Sequence, residues 1–149
     1  MIYTANIDRC KDSKYQLVSI DPRIDRQSNL GFYSDVMPTI DEISNWKNKE
    51  LIHNYYLKYL RKLKIEKLLK DLDKCVIVSK DDFFSISTRR VLADYLELTG
   101  KILIPEVEVY GAATKDIYKP VYIKDELREL IYTNGEKHEW DVFCKKECR

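Results

Sequence analysis

Apolar positions along the chain change period several times, and each change marks an element. Ile2–Ile7 and Gln16–Ile20 read as strands, the second closed by Asp21-Pro22-Arg23, where proline ends a ladder. From Arg26 to Pro38, the turn formers Asn29, Gly31, Ser34 and Pro38 surround Phe32 and Tyr33, a long loop of the kind that serves as a lid or binding loop. Thr39 followed three positions on by Glu42 is a capping box opening a short helix. Leu51, Ile52, Tyr55, Tyr56, Tyr59, Leu60 and Leu63 then recur at helical spacing, and Ile65, Leu68, Leu69 and Leu72 continue the pattern.

The apolar, β-branched run Cys75–Val78 suits a parallel strand covered on both faces. After it, Ser87 caps a helix whose buried stripe is Val91, Leu92, Tyr95 and Leu96, and Gly100 stops that helix. Ile102–Ile104 is expected as a strand, Val107–Tyr110 and Pro120–Ile123 as a strand pair, and Lys124–Tyr132 as a helix before Asn134-Gly135 and a polar tail. The alternation predicts an α/β fold with a mainly parallel central sheet flanked by helices. Residues 1–107 form its core, and residues 108–149 a C-terminal extension that adds antiparallel strands and packs on the core or on a partner subunit.

The turn after Val78 carries the most chemistry. A helix N-terminus offers unpaired N–H groups and partial positive charge, a natural seat for an anion. Acidic residues are usual there, yet Ser87 is followed by Thr88, Arg89 and Arg90. Each cation in that turn costs about 0.3–1 kcal/mol of dipole energy, which a bound phosphate or carboxylate would remove. At about 100° per residue, Thr88 lies near the centre of the stripe, Arg89 at its edge and Arg90 toward solvent. The expected ligand-binding set is therefore Ser87, Thr88 and Arg89, with Arg23 beyond the other strand end and Phe83 and Phe84 as rings to cover a base. The competing reading pairs Arg89 with a structural carboxylate, Asp94 or Glu106, and uses one phenylalanine to plug the core.

Composition narrows the classes. The chain has 149 residues, 44% hydrophobic and 34% charged, which fits one ordinary globular domain. A formal net charge of +1 argues against nucleic-acid binding through bulk charge, and the basic run Lys58, Arg61, Lys62, Lys64, Lys67 and Lys70 reads as a solvated helix face. No apolar run reaches the length of a membrane span. Four cysteines in a chain that opens without an export signal lead to an expectation of reduced thiols and a cytoplasmic location.

The order of these features resembles the domain-of-unknown-function family 488. The likeness is carried by Ile2-Tyr3-Thr4, Val18-Ser19-Ile20 with Pro22 and Arg23, Val36-Met37-Pro38 before Trp46-Lys47, the tyrosine-rich helix, Val76-Ile77-Val78, and Ser87-Thr88-Arg89 before Val91-Leu92-Ala93. It covers roughly residues 1–107. The family's Cys-His-Arg triplet stands here as Ser87-Thr88-Arg89, keeping the arginine and replacing thiol and imidazole. The resemblance implies a link to nucleotide or nucleic-acid metabolism, and the missing pair weakens an enzymatic reading.

No catalytic residues and no cofactor are assigned. The leading expectation is a non-catalytic nucleotide-binding protein that sequesters a nucleotide or nucleotide-derived signal. The alternative is an enzyme on nucleosides, nucleotides or nucleic acid that uses a carboxylate such as Asp21, Asp81 or Asp82. His138, Cys144 and Cys148 fall one short of a four-ligand zinc set, and neither Cys10 nor His53 is marked as the fourth. Val109, Tyr110, Val121, Tyr122, Ile123, Trp140 and Phe143 give the extension enough apolar surface to expect a homo-oligomer.

Overall fold

A computed structural model describes residues 1–82, 85–117 and 122–133. Four parallel strands form the main sheet in the order β1 (Tyr3–Asn6), β5 (Cys75–Ser79), β3 (Gln16–Ser19), β4 (Leu30–Phe32). A second, three-stranded sheet joins β2 (Cys10–Lys11), β6 (Val107–Tyr110) and β7 (Ala113–Asp116), with β2–β6 parallel and β6–β7 antiparallel. The two sheets meet at a parallel bridge between Thr4 and Glu106. The helices are α1 (Ile40–Asn45), α2 (Lys49–Tyr55), α3 (Ile65–Asp71), α4 (Thr88–Gly100) and α5 (Tyr122–Thr133).

Alternation along β5 explains its uniformly apolar sequence. Cys75 and Ile77 point into one cluster with α2 to α5, while Val76 and Val78 point into another with Ala5, Ile24, Val107 and Val109. A strand sandwiched between two cores cannot carry a polar face. The capping box at Thr39 forms as expected, with Thr39 Oγ1 accepting from the Glu42 amide at 3.1 Å and Glu42 Oε1 accepting from the Thr39 amide at 2.9 Å.

Several expectations are corrected. Arg90 does not face solvent: it is 1% exposed, because α4 is buried along Thr88–Glu97, between the sheet and helices α2, α3 and α5. A helix enclosed on several sides has no solvent face at its start, so the stripe rule fails there. The tyrosine-rich helix is interrupted by a π-helical turn at Tyr56–Leu60. The loop from Arg26 to Pro38 contains β4 and a 3₁₀ turn at Ser34–Val36. Ile102–Ile104 forms no strand. Val107–Tyr110 pairs with Ala113–Asp116 rather than Pro120–Ile123, since Gly111 (φ +61°) and Ala112 make a two-residue hairpin turn and Ile123 is already helical.

The described part of the extension packs on its own core. Val109, Ile123 and Leu127 are fully buried within the chain, whereas Tyr110 and Tyr122 are about half exposed. Val121, Trp140 and Phe143, also expected to supply a subunit contact, lie outside the described residues. A Cβ at Gly111 would meet nothing nearer than the Asp12 carbonyl at 3.9 Å, so any cost of substitution there is conformational. Gly111→Ala should lower the unfolding free energy by roughly 1–2 kcal/mol, and Gly111→Asn by less, measured as denaturation midpoints.

Candidate ligand-binding site

Chain topology fixes where a crevice opens. The connection leaving β3 runs outward to β4, whereas the one leaving β5 runs through α4 in the other direction to β6, beside β1. Adjacent parallel strands whose connections diverge leave a gap outside their carboxyl ends, the usual ligand position in open α/β sheets. Here that gap is a cleft of about 430 Å³ between the β3 and β5 ends, the start of α4 and the α1–α2 turn. Its lining includes Arg23, Trp46, Lys47, Asn48, Asp81, Ser85, Thr88 and Tyr122.

Asp21, fully buried, organises the floor. Its Oδ1 accepts from the Arg23 backbone amide and Nε, both at 2.9 Å, and its Oδ2 accepts from Arg23 Nη2 and the Lys80 amide, both at 2.8 Å. Burial alone would raise the Asp21 pKa, but these hydrogen bonds, that of the Arg23 side chain foremost, leave it lowered. Arg23 Nη2 also meets Asp81 Oδ1 at 3.0 Å. Hydrogen bonding to Asp21 raises the already high Arg23 pKa against the effect of burial, so this cation is permanent. Its Nη1 and Asp81 Oδ2 carry no bond among the described residues.

Arg89 lies beneath the cleft, not in it. The guanidinium is fully buried; Nη2 meets Glu106 Oε2 at 2.6 Å, Nε meets Glu106 Oε1 at 3.0 Å, and Nη1 donates to Ser79 Oγ at 2.7 Å and the Asp81 carbonyl at 2.6 Å. The sequence alternative of a structural partner is the geometry found, with Glu106 as that partner. Arg89 acts on the cleft by pinning the backbone of Asp81, which Asn6 Nδ2 also holds at 3.1 Å. Arg90 bonds Thr4 Oγ1, the Ile104 carbonyl and Asp94 Oδ1 at 2.7, 2.8 and 2.7 Å. Ser87 is buried as the N-cap, its Oγ accepting from the Arg90 amide at 3.3 Å.

Arg90 Nε and Thr88 Oγ1 are both buried without a hydrogen-bond partner among the described residues, and of the two residues Thr88 lines the cleft, at the first turn of a thirteen-residue helix. Such an unmade bond costs about 1–3 kcal/mol in an empty protein. Two further lining residues were not foreseen as ligands. Lys47 is exposed and makes no ion pair among the described residues. Asn48 occupies the N-cap position of α2 at φ 56° and ψ −129°, yet its side chain makes no capping bond. That backbone region is nearly reserved for glycine and costs a side-chain-bearing residue about 1–3 kcal/mol. The only sequence signal was an asparagine between two helical patterns.

Phe83 and Phe84 lie outside the described residues, as do His138, Cys144 and Cys148. Phe32 and Tyr33 do not line the cleft: Arg26 covers the Phe32 ring at 5.5 Å, and the Tyr33 hydroxyl donates to Asp71 at 2.8 Å. On the basic face, Lys58 pairs with Glu42 and Lys67 with Asp71, as a solvated helix surface does. Cys10, its thiol pushed up to about 11 chiefly by burial, belongs to no metal-binding group among the described residues. His53 pairs with Glu126 at 3.2 Å. No helix among the described residues is long and apolar enough to cross a membrane.

No protein-family model matches the chain, and neither a curated protein nor a solved structure is significantly similar to it.

Two measurements test this framework. Glu106→Gln leaves Arg89 buried without a counter-charge and should cost about 3–5 kcal/mol in denaturant unfolding. Adding Arg89→Met to it should recover part of that loss. Because the folded pKa of Asp21 lies below its ordinary value of 3.8, its stabilisation is present above that pH and is lost as pH falls through the folded pKa. Asp21→Asn should therefore lower stability at neutral pH and flatten the fall in stability below pH 3.8.

Proposed function

We propose that the cleft binds a small phosphate-bearing ligand of the nucleotide class and holds it without altering it. The carrying observation is the buried, unpartnered Thr88 hydroxyl at the first turn of α4, where free amides and the helix dipole favour an anion. Lys47 and Arg23, whose Nη1 makes no hydrogen bond among the described residues, supply positive charge from two other sides. The Asp81 carboxylate then suits ligand hydroxyls, as an acidic residue does for ribose in dinucleotide-binding sheets. A volume of about 430 Å³ falls within the range of small-molecule pockets, roughly 300–1,000 Å³. With Ser87 and Thr88 where the resembled family has thiol and imidazole, binding that sequesters a nucleotide fits better than turnover.

Thr88→Val separates ligand binding from structure by opposite signs. Removing an unpaired hydroxyl should stabilise the ligand-free protein by about 1 kcal/mol, while nucleotide affinity in calorimetry should fall by roughly fivefold to tenfold. Unchanged affinity overturns the assignment. Asp81 Oδ2 also motivates the second reading, an enzyme with a carboxylate base. Prolonged incubation with nucleoside monophosphates should return intact ligand on chromatography, whereas a product that disappears in Asp81→Asn would establish catalysis.

A further inference from the structure

We infer that the Trp46-Lys47-Asn48 turn is the cleft's nucleobase-recognition loop, with the Trp46 ring covering the base and the Asn48 amide bonding its edge; this rests on the nucleotide reading of the same cleft. Asn48 stands at a helix N-cap, where asparagine normally gives its side chain to a backbone amide. Here it gives none: the residue is exposed at the cleft, and its amide oxygen and nitrogen have no partner among the described residues and are open to a ligand. Its backbone keeps a conformation nearly reserved for glycine, and such positions cluster at ligand clamps. A carboxamide offers a donor and an acceptor side by side, which matches the paired acceptor and donor on a base edge.

Trp46 is set beside it by contacts that do not use the cleft. Its amide donates to the Glu42 carbonyl at 2.8 Å, ending α1, and its ring meets Tyr59 edge-on at 6.3 Å between centroids. Tyr59 in turn donates its hydroxyl to the Glu42 side chain. The indole is therefore fixed before any ligand arrives, which limits the entropy lost when a base stacks on it. Tyr122, 46% exposed, adds a second ring to the lining.

The test compares adenosine, guanosine, cytidine and uridine 5′-monophosphates with ribose 5-phosphate and inorganic phosphate, by calorimetry, on wild type, Asn48→Gly and Trp46→Leu. Wild type should bind at least one nucleotide more than tenfold tighter than ribose 5-phosphate. Asn48→Gly should remove most of that preference with ribose 5-phosphate affinity unchanged, and should melt about 2–4 °C higher as strain is released. In a Trp140→Phe background, the preferred nucleotide should quench the fluorescence of Trp46, the only tryptophan left, and ribose 5-phosphate should not. If wild type binds ribose 5-phosphate as tightly as every nucleotide, or if Asn48→Gly weakens both equally, the base-recognition role is overturned while the phosphate site stands. If no probe binds, both fall.

Discussion

The buried ion pair between Arg89 and Glu106 ties the two sheets to the helix that separates their connections. Glu106 bridges to Thr4 at the junction of the sheets, and its Oε1 also accepts from the Thr4 hydroxyl at 2.7 Å. Arg89 carries the link into α4, β5 and the loop at Asp81. Both charges are withdrawn from water, and such a pair adds little net stability over an apolar replacement. Its effect is specificity. A fork-shaped donor facing a planar carboxylate tolerates few alternative arrangements, so helix, strand end and second sheet are held in one relation. The cleft inherits its shape from that relation, because the segment that carries Asp81 hangs from Arg89.

This pair also accounts for the two cations in the first turn of α4. Their unfavourable interaction with the helix dipole is offset inside the protein, by Glu106 for Arg89 and by Asp94, Thr4 and the Ile104 carbonyl for Arg90. With both side chains turned inward, the outward aspect of the helix start is left to Thr88 and to the backbone. An anion there would meet a hydroxyl and a dipole rather than a guanidinium of that helix. Arg23, held from below by Asp21, is the arginine that reaches the cleft.

Much of the architecture was legible because it rests on local rules. The apolar run at Cys75–Val78, the Thr39 capping box and the Ser87 cap each announce an element through short-range chemistry, and all three appear in the fold. The expected stop at Gly100 is displaced by one residue: Gly100 is the last helical residue and Lys101 takes the left-handed cap at φ 53°. The site was only partly legible. Proline and arginine after β3 and the Ser87 turn after β5 mark the two strand ends that flank the cleft. Which way Arg89 and Arg90 point depended on how many elements enclose α4, and that is a long-range property. Glu106 was one of two candidate partners, since sequence separation of 17 residues does not choose between it and Asp94. The third wall, Trp46 to Asn48, was invisible because a helix-to-helix turn gives no sign of its backbone angles. The strand expected at Ile102–Ile104 failed for a similar reason: β-branched residues favour extended backbone, but a ladder needs a neighbour.

Departures from local consistency carry their own information. A folded chain ordinarily satisfies buried hydroxyls, keeps side-chain-bearing residues out of glycine-only backbone regions, and spends an asparagine at an N-cap on the helix. Thr88 breaks the first of these habits and Asn48 the other two. The two residues belong to different helices, separated by 40 positions, yet they line one cleft. Each costs stability in the empty protein, and among the described residues neither side chain makes a hydrogen bond that offsets it. Sequences tolerate such local conflicts chiefly where function requires them. They meet at the divergence of the β3 and β5 connections, beside a lysine without an ion pair among the described residues and an indole fixed by its own neighbours; on the proposed reading, the free protein bears the strain and the unmet hydrogen bond, and a ligand would relieve the second while relying on the first.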